Sequence, residues 1–290
     1  MSNLEGVCVP ICTPFKDNGA TVDIAAFEAN IDSLVENAVH IIAVNGGTGE
    51  FPFLSESEKR ELAEVACRRV NGRAKVIVQT SAIRTEDAVE NSKHAEGVGA
   101  DAVLVLPPYF EGPGEDGVRW HYEQIAKAIR TPIMAYNIPA YTQFDITPEI
   151  FARFSEIDGV DYIKDSTADP SRIEKLAGQG AKVFCGCDFL NFFALVNGAA
   201  GLFTGSGNVA PAQIRKLWDL VKSKDYEQAE KVWKTLQPIS RLLWTLPFNP
   251  VAKAGSEMTG RRVGLCRMPV PPLKADEMKL VEAAVEALSA

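Results

Sequence analysis

The sequence predicts a (β/α)8 barrel of the TIM-barrel class with a C-terminal helical extension. Three observations carry that expectation. Short β-branched or apolar runs alternate along the chain with longer segments of helical spacing. The runs are apolar nearly throughout, as strands of a parallel sheet covered on both faces must be. They number eight, the count at which such a sheet closes. An open doubly wound sheet is the competing arrangement. However, no G-x-G-x-x-G follows the first run, and the GSG at 205–207 comes only after the eighth.

In order, the first strand is expected at 6–14 (GVCVPICTP) with a helix over 23–38 behind it. The second, at 40–46, precedes a helix over 55–71 whose start, Ser55 with Glu58, reads as a capping box. The third, at 75–81, leads to a helix over 85–97, where two acids after Thr85 suit the positive end of the helix dipole. The fourth, at 102–108, leads to 116–130. The fifth, at 132–137, leads to 147–157, with Pro148 at the first helical position after Thr147. The sixth, at 160–166, leads to 170–178, which opens on Asp169-Pro170; the seventh, at 182–187, to 189–197; the eighth, at 201–205, to 211–223. Beyond about 224 no strand signal remains. Residues 1–224 are read as the barrel and 225–290 as a helical extension packed on it or on a neighbouring subunit.

At 290 residues the chain allows one large or two small domains, on a scale of roughly 100–200 residues each. Hydrophobic residues at 46% and charged residues at 23% exclude long disorder and fibrous classes. The net charge of −8, with no basic block, argues against nucleic acid or an anionic membrane as partner. No run reaches the roughly 18–20 apolar residues of a membrane helix, and the opening MSNLEGVCVPICTPF has no basic head, so a cytoplasmic location is expected. Six cysteines are too few for a disulfide scaffold. Cys185 and Cys187 form C-x-C without a second thiol pair or a nearby histidine, so core thiols, not a metal site, are the reading.

A barrel places its chemistry at the carboxyl ends of its strands. The polar residues there are Thr13, Gly46 to Glu50, Arg84, Tyr109, Tyr136-Asn137, Lys164 to Thr167, Asp188 and Thr204 to Asn208. No histidine joins them: His40 opens a strand, while His94 and His121 fall in helices. Histidine triads and metal clusters are thereby poorly supported. Lys164 follows the apolar interior of the sixth strand at its exit. Desolvation there favours the free amine, the form that attacks a carbonyl carbon in Schiff-base chemistry. The alternative is a mouth salt bridge to Asp165 or Glu50. Tyr136 ends the preceding strand, where its phenol can carry protons; the alternative is core packing. Gly46 to Gly49 lets backbone amides approach an anion. Gly205 to Asn208 occupies a place where many barrels bind phosphate, or else makes a tight turn. Arg84 stands just past the third strand, either to meet the distal end of a substrate or to pair with Glu86 or Asp87.

GGTGE (46–50), YNIP (136–139), IKDS (163–166), PICTPF (10–15) and NPVAKA (249–254) together resemble the dihydrodipicolinate synthase and N-acetylneuraminate lyase family. The likeness spans nearly the whole chain in the right order. It implies a barrel, usually tetrameric, that forms an imine between its lysine and a 2-oxo acid, with no metal or organic cofactor. By position it implies Lys164 as the imine lysine, Tyr136 as the proton-transfer tyrosine, and Thr48 with the Gly47 amide as the carboxylate site. Gly186 and Phe203 would flank the bound 2-oxo acid.

The chain departs from dihydrodipicolinate synthases at three places. It has Gly47 where they resemble G-T-T-G-E with a relay threonine, Phe110 where they have a second tyrosine, and Tyr141 where they have an arginine for the semialdehyde carboxylate. Losing that arginine removes a bidentate, charge-assisted contact. GEFPFL (49–54) resembles 4-hydroxy-2-oxoglutarate aldolases, and GGTGEF with LPPY (106–109) resembles 5-dehydro-4-deoxyglucarate dehydratases. The expectation is a lyase for 2-oxo-3-deoxy sugar acids or related hydroxylated 2-oxo acids, with pyruvate-releasing cleavage preferred to dehydration. Tyr141, Ser166, Thr167, Asp188 and Ser206 are the residues expected to read the hydroxyl tail. A sensor that only binds sugar acids would be expected to lose the lysine or the tyrosine.

Overall fold

A computed structural model describes residues 3–289. Eight parallel strands close into a barrel: β1 (Gly6–Pro10), β2 (Ile41–Val44), β3 (Lys75–Gln79), β4 (Ala102–Val105), β5 (Ile133–Asn137), β6 (Val160–Asp165), β7 (Lys182–Cys185) and β8 (Gly201–Phe203). Each pairs with its sequence neighbours, and β8 returns to β1 with Cys8 opposite Phe203. Because successive side chains alternate, each strand feeds two cores. Cys8, Ile41, Ile77, Leu104, Met134, Tyr136, Tyr162, Phe184 and Phe203 fill the interior, while Val7, Ile42, Val76, Val103, Ile133, Ile163, Val183 and Leu202 meet the helices. The barrel is thus packed solid below its mouth, and Leu4 closes the floor by donating its amide to the Tyr162 hydroxyl at 3.1 Å.

Eight helices follow the strands in turn: α1 (Ile24–Glu36), α2 (Glu56–Val70), α3 (Thr85–Gly97), α4 (Gly114–Ala128), α5 (Pro148–Phe154), α6 (Pro170–Gly178), α7 (Asn191–Val196) and α8 (Pro211–Lys222). Ser55 forms the capping box with Glu58, Thr147 caps α5 ahead of Pro148, and Asp169 caps α6 ahead of Pro170. The observed strands stop short of the expected runs. Pro107 and Pro108 offer no amide to a ladder, which ends at Val105. The 6–14 run breaks after Pro10, and Phe15–Lys16 instead pairs antiparallel with Thr21–Val22. The Phe15 amide donates to Val263 at 3.0 Å, so this small hairpin is tied to the far end of the chain.

After α8 come α9 (Tyr226–Thr245), α10 (Phe248–Met258) and α11 (Ala275–Glu286). Ala229, Trp233 and Leu236 of α9 join the core around the barrel, while Ile239, Leu243, Val251, Ala252 and Val281 build a smaller core with Cys12 and Val209. The extension therefore packs directly beneath the loops that leave β1 and β8. No helix among the described residues is long and apolar enough to cross a membrane.

Candidate active site

Alternation along VDYIKD turns Tyr162 and Lys164 inward and Ile163 and Asp165 outward. Lys164 stands opposite Tyr136 in the β5–β6 register, so both side chains rise on the same side of the sheet at the mouth. The Lys164 Nζ lies 3.8 Å from the Tyr136 ring centroid and 4.0 Å from that of Phe203. The residue is 6% exposed. Neither carboxylate offered as its partner reaches it in an ion pair: Glu50 pairs with Lys253, and Asp165 faces the other way. Two aromatic faces thus flank this amine, each within cation–π distance.

Asp165 anchors the strand end from behind. It accepts from Asn137 Nδ2 at 2.9 Å and from the Thr167 hydroxyl at 2.6 Å, while Asn137 also donates to Asp145, which Arg172 holds with two bonds of 2.8 and 2.9 Å. Burial raises the Asp165 carboxyl above its ordinary range against these hydrogen bonds. Thr167, expected to read substrate, gives its hydroxyl to Asp165 instead.

The loop after β2 turns sharply, with Asn45 and Glu50 both at φ 59. Thr13 donates to the Gly49 carbonyl at 2.7 Å. A Cβ at Gly49 would stand 3.3 Å from the Ile11 carbonyl, so this position fits glycine closely. Among the described residues, the amides of Gly47, Thr48 and Gly49 donate to no protein acceptor, and the Thr48 hydroxyl has no protein partner. Thr48 is buried, and this run of adjacent donors without protein acceptors is a nest suited to an anion. A Cβ at Gly47 would meet nothing within 4 Å, so the position where a relay threonine is missing is open space.

On the opposite rim, Gly186 donates its amide to the Asp165 carbonyl at 2.8 Å. A Cβ there would fall 2.1 Å from Ser166 Oγ and 2.8 Å from Lys164 Cε, which puts the Ser166 hydroxyl beside the lysine stem. That hydroxyl is buried with no protein partner, an expensive state for a polar group in the folded protein alone. The Asp188 carboxylate accepts from the Thr204 hydroxyl and the Gly205 and Ser206 amides at 2.6, 3.2 and 2.7 Å, bonds that shape the loop after β8. The Ser206 hydroxyl shares a bond of 2.8 Å with Thr204. Gly205 and Gly207 are pressed against Phe248 and Val9, so close packing accounts for both glycines.

At the outer mouth Tyr141 is 77% exposed and Phe110 80% exposed. The Arg84 side chain is 70% exposed and lies 3.5 Å from Asp87 and 4.0 Å from Glu86 at the start of α3. Five of the six cysteines are buried thiols and Cys67 is half-buried; burial pushes Cys12, Cys187 and Cys266 up to about 12. His121 is held down to about 4 by burial, and no group of three or more His, Cys, Asp or Glu able to hold a metal exists among the described residues. Sequence reasoning gave no part to Asn249, which donates Nδ2 to the Gly47 carbonyl at 3.0 Å. The available signal was the NPVAKA motif that contains it.

The Dihydrodipicolinate synthetase family model matches residues 3–288. A 4-hydroxy-tetrahydrodipicolinate synthase of Syntrophobacter fumaroxidans is 34% identical, covering 95% of this chain and 96% of its own. One from Methanocaldococcus jannaschii is 32% identical over 96% of both. The crystal structure of a chloride-inhibited dihydrodipicolinate synthase from Acinetobacter baumannii, complexed with pyruvate, superposes with a TM-score of 0.93 at 29% identity, covering 99% of each chain. The family forms its imine on a lysine without a cofactor and binds pyruvate-type 2-oxo acids. A buried lysine between two aromatic rings at the mouth of a closed barrel suits that chemistry, and the chain belongs to the dihydrodipicolinate synthetase family.

Proposed function

We propose that this lyase acts on a 2-oxo acid carrying a hydroxyl at C4, of the 2-oxo-3-deoxy sugar acid class, and cleaves it to pyruvate and an aldehyde. The observation that carries the reading is the buried, unpartnered Ser166 hydroxyl beside the Lys164 stem. A polar group left unsatisfied there calls for an oxygen on the substrate, which pyruvate lacks beyond its keto acid end. Lys164 attacks C2 and, with loss of water, forms the iminium, while Thr48 and the Gly47 amide hold the carboxylate. Tyr136 takes the proton from the C4 hydroxyl as the C3–C4 bond breaks, and the bond's electrons pass into the iminium to give the enamine. Protonation at C3 and hydrolysis return pyruvate and the free lysine. Gly186 and Phe203 wall the 2-oxo acid, and Ser206 and Tyr141 border its tail. Residues 1–224 form the catalytic barrel and 225–290 its extension, in a cytoplasmic homotetramer.

The names of the relatives favour a second reading, condensation of pyruvate with an aldehyde as in 4-hydroxy-tetrahydrodipicolinate synthases. Against it stand the open space at Gly47 and the tyrosine at 141 where an arginine would bind the second carboxylate. The GGTGEF and LPPY motifs support dehydration as a third outcome at the same iminium. A screen of hydroxylated 2-oxo acids that measures pyruvate release and substrate loss separately distinguishes them. The reading requires stoichiometric pyruvate from a 4-hydroxy-2-oxo acid. Substrate loss without pyruvate would assign dehydration, and a fast reaction of pyruvate with aspartate semialdehyde would assign the relatives' activity.

A further inference from the structure

Three sequence motifs are left without a part in the chemistry: PICTPF, the glutamate that closes GGTGE, and NPVAKA. In the fold they meet. Glu50 is fully buried; its Oε1 lies 2.7 Å from Lys253 Nζ, and its Oε2 accepts from the Arg267 amide at 2.9 Å. Lys253, itself 2% exposed, also donates to the Leu265 carbonyl at 3.0 Å. Its ammonium stands 4.2 Å from the Phe15 ring centroid, and the Arg267 guanidinium carbon lies 4.5 Å from the same centroid. One helical turn earlier, on the same face of α10, Asn249 grips the Gly47 carbonyl. That carbonyl also accepts the Glu50 amide at 3.0 Å. The extension therefore holds the loop at both ends of the segment whose amides are free.

An ion pair buried this deeply gains little net stability over an apolar pair of the same volume. What it supplies is position. Glu50 sits in the left-handed region, and its carboxylate, ion-paired at Oε1 and hydrogen-bonded at Oε2, holds it there, which bears on the direction of the preceding amides. We propose that Lys253, Glu50 and Asn249 are positioning residues that aim the Gly47–Gly49 amides and the Thr48 hydroxyl at the 2-oxo acid carboxylate, so that the C-terminal extension is part of the binding apparatus. This inference rests on the assignment of Gly47 and Thr48 to that carboxylate.

The test is the half-saturating concentration for borohydride-trapped adduct with pyruvate and with methyl pyruvate, whose ester carries no charge. Asn249→Ala and Lys253→Met are expected to raise the value for pyruvate about tenfold or more, the scale of a hydrogen bond to a charged group, and to change that for methyl pyruvate little. The trapping rate at saturation is expected to stay near that of the native protein, and Lys253→Arg to recover most of the loss. Lys253→Met leaves Glu50 buried without its partner and destabilises the fold; Asn249→Ala removes one neutral hydrogen bond, so its outcome decides. Equal changes for both probes, or none, would overturn the inference. Thr48→Val separates the two levels: if it leaves the pyruvate preference intact, the carboxylate assignment fails; if it abolishes the preference while Asn249→Ala does not, only the positioning role fails.

Discussion

At the scale of residues, the mouth of this barrel is a lysine placed between rings and a set of donors without protein acceptors. Tyr136 is the proton carrier in the proposed cleavage, so Tyr136→Phe should lower kcat by about 10²–10⁴-fold, the usual worth of a positioned acid–base group. The variant should still yield a pyruvate adduct on Lys164. Native turnover in Tyr136→Phe, measured by pyruvate release, would remove the tyrosine from the chemistry. Ser166→Ala removes the unpartnered hydroxyl, and its loss should fall on hydroxylated substrates alone, about tenfold or more in kcat/KM, with pyruvate trapping unchanged. Gly186→Ala would drive a methyl into Ser166 Oγ and Lys164 Cε. Its expected cost is about 1–3 kcal/mol of stability in denaturant melts, together with a loss of adduct formation.

At the scale of elements, the contact between Glu58 of α2 and Arg267 in the segment before α11 carries a pH dependence. Arg267 donates to both oxygens of Glu58 at 2.9 and 2.8 Å and holds that carboxyl at about 2, against the opposing effect of burial. A carboxyl depressed in the folded state stabilises above the unfolded value near 4.3, and the contribution fades as pH falls toward 2. Glu58→Gln keeps an acceptor for the capping box but not the charge. The native protein should exceed it by about 1 kcal/mol at pH 7 after solvent screening, and the gap in urea melts should close near pH 2–3. A gap that is constant with pH would show that the pair contributes no charge term. The eight strands were legible because strands covered on both faces are apolar throughout, and Lys164 because it interrupts such a run at its exit. Strand ends were not: apolar residues continue past Val105 and Pro10, and beyond Val105 the two prolines offer no amide to a ladder. For Arg84 and Asp188, position at a strand exit does not give side-chain direction: Asp87 lies beside the first, and the Thr204 hydroxyl with the Gly205 and Ser206 amides holds the second. The Glu50–Lys253 pair joins segments far apart in sequence, and no local pattern reports it.

At the scale of the whole molecule, a solid barrel interior leaves its mouth as the place for chemistry, and the extension braces one side of that mouth. The net charge of −8 makes the local donors of the nest the means of drawing in an anionic substrate. If Lys164 forms the imine, borohydride reduction in the presence of pyruvate followed by peptide mapping should give a single reduced adduct on the peptide carrying Lys164 and none in Lys164→Ala. An adduct on any other lysine, or continued trapping in that variant, would contradict that role.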